Sequence, residues 1–167
     1  LGVFYPKKVT SNHKKIMKLT LKTKVSQDIN SVFAGFNLEL FEKLTPPMTQ
    51  VKVLRFDGCK KGDIVSLELR IMWLIRQEWT SEVTASEATD ALIYFIDEGE
   101  GKKLPFFLSK WRHEHRIERD ETGDGAYIVD KIDYRAPFGL NFLLWPVLWL
   151  QFAFRRPVYR RVFAAKS

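Results

Sequence analysis

Residues 107–135 read FLSKWRHEHRIERDETGDGAYIVDKIDYR, two strand-like runs on either side of a turn. Phe107 to Arg119 and Ala126 to Arg135 are joined by Glu121-Thr122-Gly123-Asp124-Gly125, whose glycines permit a hairpin reversal. Side chains alternate across a strand, so Arg112, Glu114, Arg116 and Glu118 share a wet face while Trp111, His113, His115 and Ile117 share a dry one. On the second run Ile128, Asp130, Ile132 and Tyr134 form the matching inner row. A turn centred near Gly123 sets Asp130 opposite His115 or Ile117. Buried polar groups need partners, and a His115/Asp130 pair would satisfy both.

The same alternation extends outward from the hairpin. Leu19, Leu21, Thr23 and Val25 alternate with lysines and a threonine, which describes a half-buried first strand. Ser26 and Asp28 supply N-cap chemistry for a short helix carrying Ile29, Val32, Phe33 and Phe36, and a second helix, Leu38 to Leu44, stops at Thr45-Pro46-Pro47. Strands resume at Val51, broken by the turn cluster Asp57-Gly58 to Gly62-Asp63 that holds Cys59. Val65, Leu67, Leu69, Ile71 and Trp73 line one dry face, and Trp79, Ser81, Val83 and Ala85 another. A strand over about Ala91 to Ile96 precedes a Glu98-Gly99-Glu100-Gly101 loop. From Leu140 onward, continuous apolar residues and then arginines predict a long C-terminal helix, with Pro146 in its first turn and a bend at Pro157. The order is strand, two short helices, six strands, long helix.

The chain has 167 residues, 46% of them hydrophobic and 28% charged, a profile that excludes a disordered or collagenous segment. A single cysteine, Cys59, excludes an internal disulfide framework and a cysteine-rich zinc site. The net charge is +7, but all 20 acidic residues lie between Asp28 and Asp133, and the excess of lysine and arginine sits at the two ends. Terminal basic residues without an exposed aromatic platform argue against nucleic acid as a partner. Residues 1–16 form a basic extension without the apolar core of a signal peptide, Met17 is a plausible start, and residues 17–165 make the domain, with a cytoplasmic default. Ala136 to Phe154 carries no formal charge and approaches the length of a membrane span, but Pro137, Gly139, Pro146, Asn141 and Gln151 interrupt it.

This order, with Leu44-Thr45-Pro46-Pro47, Trp79, Trp111-Arg112-His113-Glu114-His115 and Asp130 to Gly139, resembles the SRPBCC superfamily over about Met17 to Ala164. That superfamily comprises START-type, polyketide cyclase-like and birch-pollen-allergen-like domains, and the motifs are similar to those of a bacterial ligand-binding subgroup. The resemblance implies an α+β helix-grip fold: a seven-stranded antiparallel curved sheet wrapped around the C-terminal helix, with an apolar cavity between them. It does not imply one activity, because relatives bind, transport or cyclise.

Trp79, Trp111, His113, His115, Asp130 and Tyr134 are therefore the candidate ligand-binding residues, the tryptophans as wall and the rest to orient a polar group. Met72 and Trp73 are further wall or core residues. The expected function is binding or transport of a lipid-like or polycyclic molecule without a cofactor. The alternative is a cyclase-like or hydrolytic enzyme using His115 with Asp130 as general acid or base and Tyr134 as a second proton donor. No nucleophile elbow or phosphate loop supports catalysis. No metal is expected: His113 and His115 face the same way but are two ligands only, and a zinc site would need carboxylates to complete it. The C-terminal helix has apolar residues around its full circumference, more than one buried stripe uses. A homodimer or a membrane surface would cover the surplus, with Arg155, Arg156, Arg160 and Arg161 near lipid headgroups.

Overall fold

A computed structural model describes residues 16–45, 49–71, 74–100, 103–123 and 125–165. The extension up to residue 15 with its His13, and Pro46, Pro47, Met72, Trp73, Gly101 and Asp124, lie outside the described residues. Seven strands, β1 (Met17–Val25), β2 (Thr49–Phe56), β3 (Ile64–Ile71), β4 (Ile75–Ala88), β5 (Leu92–Glu100), β6 (Lys110–Arg119) and β7 (Ala126–Arg135), form one antiparallel sheet. Its order is β1-β7-β6-β5-β4-β3-β2, so the first strand closes against the last. Two short helices, α1 (Ile29–Ala34) and α2 (Leu38–Lys43), follow β1, and a long helix, α3 (Asn141–Val162), ends the chain. This is the helix-grip α+β arrangement that the resemblance implied.

The local causes are those of the sequence pattern. Asp28 Oδ1 accepts from the backbone N–H groups of Asn30 and Ser31, at 2.9 and 3.0 Å, and caps α1. Asn37 Oδ1 caps α2 by accepting from Leu40 N at 3.0 Å. The hairpin register sets His115 across from Asp130 and Ile117 across from Ile128.

Several boundaries differ from the expectation, with β2 starting at Thr49, two residues before Val51, and β4 running from Ile75 to Ala88, beyond both ends of its expected run. The strand expected from Phe107 begins at Lys110, because Pro105 starts a turn in which Leu108 N donates to Pro105 O at 2.8 Å. The fifth strand runs on through Glu98-Gly99-Glu100, where a loop was expected. Gly99 serves a close approach there rather than a turn, since a Cβ would lie 3.1 Å from Thr80 O and against Leu104. Pro146 lies beyond the first turn of α3, which starts at Asn141, and the carbonyl left without its donor belongs to the exposed Phe142.

Helix α3 lies on the inner face over β1 and β7. Its far end is fastened by Ser26 N donating to Phe163 O at 3.0 Å and Gln27 Nε2 donating to Ala164 O at 2.9 Å. Two apolar clusters fill the space between helix and sheet. One joins Val32, Leu40, Ile117, Ile128, Tyr159 and Phe163 beneath α1 and α2, and the other joins Leu21, Trp111, Ile132, Tyr134, Leu148 and Phe152 toward the start of α3. Among the described residues no helix is long and apolar enough to cross a membrane.

The β3–β4, β5–β6 and β7–α3 connections lie at the same end of the sheet, since Ile71 pairs with Ile75, Glu100 with Lys110, and Lys110 with Arg135. That end is apolar yet uncovered: Leu74 is 87% and Phe138 94% exposed, and Phe106, Phe142 and Leu143 join them. The opposite end is closed by the β6–β7 turn, where Gly125 has φ +131° and a Cβ would collide with Val25 O. Gly125→Ala is expected to destabilise the fold by about 3 kcal/mol through backbone strain and this collision, read as a lower urea midpoint at unchanged m-value.

Candidate functional site

Between the two apolar clusters, four ionisable side chains converge on the inner face. Alternation on β6 turns His113 and His115 inward, Asp130 faces them from β7, and Asp97 faces them from β5. His113 Nε2 donates to Asp130 Oδ1 at 2.9 Å, and His115 Nε2 donates to Asp97 Oδ1 at 3.1 Å. The complementary separations are longer: His113 Nδ1 lies 3.5 Å from Asp97 Oδ1, and His115 Nδ1 lies 3.7 Å from Asp130 Oδ1. The two imidazoles are thus sandwiched between two carboxylates, with ring centroids 3.6 Å apart. Trp111 Nε1 donates to the second oxygen of Asp97 at 2.9 Å. His115 also stacks on Phe95, with centroids 4.3 Å apart.

Burial and pairing set the ionisation. Burial, reinforced by the neighbouring His115, pushes the His113 pKa down to about 4 against the pull of both carboxylates. Burial alone would raise Asp97 and Asp130. At Asp97 the hydrogen bonds from His115 and Trp111 and the attraction of both imidazoles together outweigh it, and at Asp130 the hydrogen bond from His113 does so with the attraction of both imidazoles and Arg155, so both are held below the usual carboxylate range. One atom of the cluster is left over: His115 Nδ1 is buried and has no hydrogen-bond partner.

Two cavities open from this cluster. The larger, about 310 Å³, lies between the sheet and α3, with walls that include Leu67, Leu69, Trp79, Trp111, Leu148 and Phe152. Asp97, His113 and Arg155 are its polar residues near the cluster, and Ile75, Phe106 and Val147 belong to the uncovered apolar end. The smaller, about 80 Å³, lies under α2 among Phe36, Phe41, Cys59, Phe95 and His115, and it shares Asp97 and Arg155 with the larger. Trp79 and Trp111 meet edge to face, with centroids 4.8 Å apart.

The structure brings together five of the six expected site residues, in different roles. Trp79, Trp111 and His113 line the large cavity, and His115 lines the small one. Asp130 stands behind the imidazoles and lines neither, and its direct hydrogen bond comes from His113, although His115 is its cross-strand neighbour. Tyr134 stands apart: its buried hydroxyl donates to Asn141 O at 2.8 Å and anchors the start of α3.

Two functional positions escaped the sequence. Asp97 follows the point where the fifth strand was expected to end, and its alternation with Ile93 and Phe95 would have placed it inward. Arg155, expected near lipid headgroups, lines both cavities because it follows Phe152 by one helical turn, and its guanidinium carbon lies 4.1 Å from the Phe152 ring centre. Its Nε is buried and has no hydrogen-bond partner.

No protein-family model matches the sequence, and a comparison with curated proteins finds no match either. Solved structures do match. A protein from Mycobacterium smegmatis superposes with a TM-score of 0.65 at 15% identity, covering 90% of this chain and 92% of that one. The di-domain ARO/CYC StfQ from the steffimycin biosynthetic pathway gives 0.60 at 10% identity, over 89% of this chain and 51% of that one. Ara h 8.0201 gives 0.55 at 11% identity, over 87% and 98%. At such identities the likeness is one of fold.

Cys59, on the wall of the small cavity, has its thiol pushed up to about 12 by burial, with Asp63 and Asp97 adding to the shift. The thiolate is the nucleophile, so the folded protein is expected to resist iodoacetamide at mildly alkaline pH and to react once unfolded in urea. Intact-mass measurement checks this, and rapid alkylation of the folded chain would contradict it.

Proposed function

Given the SRPBCC-type helix-grip fold of this chain, we propose that it binds a hydrophobic small molecule with a polar end between the sheet and α3. The observation that carries this reading is the cavity itself. Its volume of about 310 Å³ falls at the lower edge of small-molecule sites. Its walls are mainly tryptophan, phenylalanine and aliphatic side chains, and its ionisable residues are Asp97, His113 and Arg155. Arg155 supplies a cation whose buried Nε lacks a partner, so an acidic or strongly polarised oxygen at the ligand's polar end suits it. A lipid-like or polycyclic body fits the aromatic walls.

Native mass spectrometry of freshly purified protein, followed by solvent extraction, is the first test. A stoichiometric small molecule supports the reading. Val147→Trp places a bulky ring where a half-exposed valine now borders the cavity. It is expected to weaken binding of a fluorescent fatty-acid probe by about tenfold or more with little change in unfolding midpoint. Unchanged probe affinity would count against this cavity as the site.

The exposed apolar residues at the cavity's open end favour a second reading, in which the ligand is collected at a membrane surface. Phe106 lines the cavity, and Leu74, Phe138, Phe142 and Leu143 lie at the same end of the sheet; all five are large, apolar and uncovered. Flotation with vesicles containing anionic lipid should carry the protein upward. Phe138→Ser with Phe142→Ser should abolish that association while the fold survives. The catalytic alternative gains no comparable support, because Asp130 lines neither cavity.

A further inference from the structure

We propose that His113 Nδ1, His115 Nε2 and Asp97 Oδ1 form a three-ligand site for a divalent transition metal, zinc being the best fit, in the wall of the large cavity. The ligand types are right for such an ion: two imidazoles and one carboxylate leave a coordination position open. The three ligand atoms lie within 4.8 Å of one another. Asp97 Oδ1 is 3.5 Å from His113 Nδ1 and 3.1 Å from His115 Nε2. Zinc bonds of about 2.0–2.2 Å imply ligand-to-ligand edges of about 3.3 Å in a tetrahedron. Both edges at Asp97 are already close to this length.

The surroundings fit a metal site in a second, separate way. A ligating histidine ordinarily donates its other ring N–H to a carboxylate, which fixes the tautomer and raises the basicity of the metal-bound nitrogen. His113 does this already, because Nε2 donates to Asp130 while Nδ1 faces Asp97. For His115, binding an ion at Nε2 moves the ring proton to Nδ1. That nitrogen now has no partner and lies 3.7 Å from the same Asp130 oxygen. One carboxylate therefore serves both imidazoles from behind, and the tautomer shift on ion binding would give the unpartnered His115 Nδ1 a proton to donate toward Asp130. The fourth position faces the cavity, since Asp97 and His113 line it and Asp130 does not. The buried Asp130 and the largely enclosed Asp97, against one nearby guanidinium, Arg155, leave negative charge that a divalent ion would balance.

This inference rests on the four groups and not on ligand binding, so it stands or falls separately from the proposed function. Chelator-treated full-length protein is titrated with Co²⁺ and then Zn²⁺. The expected result is one Co²⁺ per chain by native mass spectrometry, visible ligand-field bands that Zn²⁺ displaces, and ¹⁵N shifts at Nδ1 of His113 and Nε2 of His115. Asp97→Asn is expected to remove the bands. Asp130→Asn, which touches no ion, is expected to weaken binding by about 10–100-fold. The ring-nitrogen measurement uses the unaltered protein and so holds even where a variant fails to fold. Metal bound only at His13 or the surface, with both inner imidazoles unshifted, overturns the proposal.

Discussion

Four ionisable groups on the inner face of the sheet must satisfy one another, and the rest of the interior is arranged around that constraint. An unpaired charge at this depth would cost several kcal/mol, and His113 and Asp130 are almost fully buried. Strand alternation provides the remedy. Positions 113 and 115 face inward together, the register places Asp130 across from His115, and the next strand delivers Asp97 to the opposite side of the rings. Trp111 then does two things at once. Its ring belongs to the apolar cluster near the start of α3, and its N–H closes one of the carboxylates. The polar band separates two apolar clusters, so the interior cannot collapse into a single dry core.

Helix α3 completes that interior without matching it along its length. Toward its end, Val158, Tyr159 and Phe163 pack beneath α1 in a closed core. Toward its start, Leu148 and Phe152 share their face with a cavity. Packing is therefore complete where the chain is fastened by Ser26 and Gln27 and incomplete where Phe142 and Leu143 are exposed. Tyr134 reconciles the two regimes, because its hydroxyl holds the first residue of the helix to the sheet through a backbone carbonyl. The open end can then remain open without releasing the helix.

Most of the architecture was legible because strand periodicity is local. The hairpin, the two capped helices and the order of elements all follow from alternation and turn chemistry, and the structure reproduces that order. The candidate site was legible only in part. Glycine at position 99 reads as a loop signal in sequence, whereas in the sheet it makes room for Leu104, and ending the strand early hid Asp97. Arg155 belongs to a run of arginines that reads as solvated surface, and only the phase of α3 against the sheet turns this one inward. Which imidazole nitrogen meets which carboxylate depends on side-chain rotations that no spacing encodes.

Fold and site thus carry different kinds of information. Matches at 10–15% identity establish how the strands wrap the helix, and they leave open what the cavity holds. The cavity's character comes from a narrower set of residues. Aromatic walls select for apolar bulk, and Arg155 faces Asp97 and His113 across a shared volume. For a ligand of the proposed kind, transfer of the apolar body from water would supply the driving force for entry. The polar contacts at Arg155, Asp97 and His113 would then discriminate among apolar molecules. On the proposed reading, selectivity would reside in the cluster that borders the cavity, and affinity in its apolar walls.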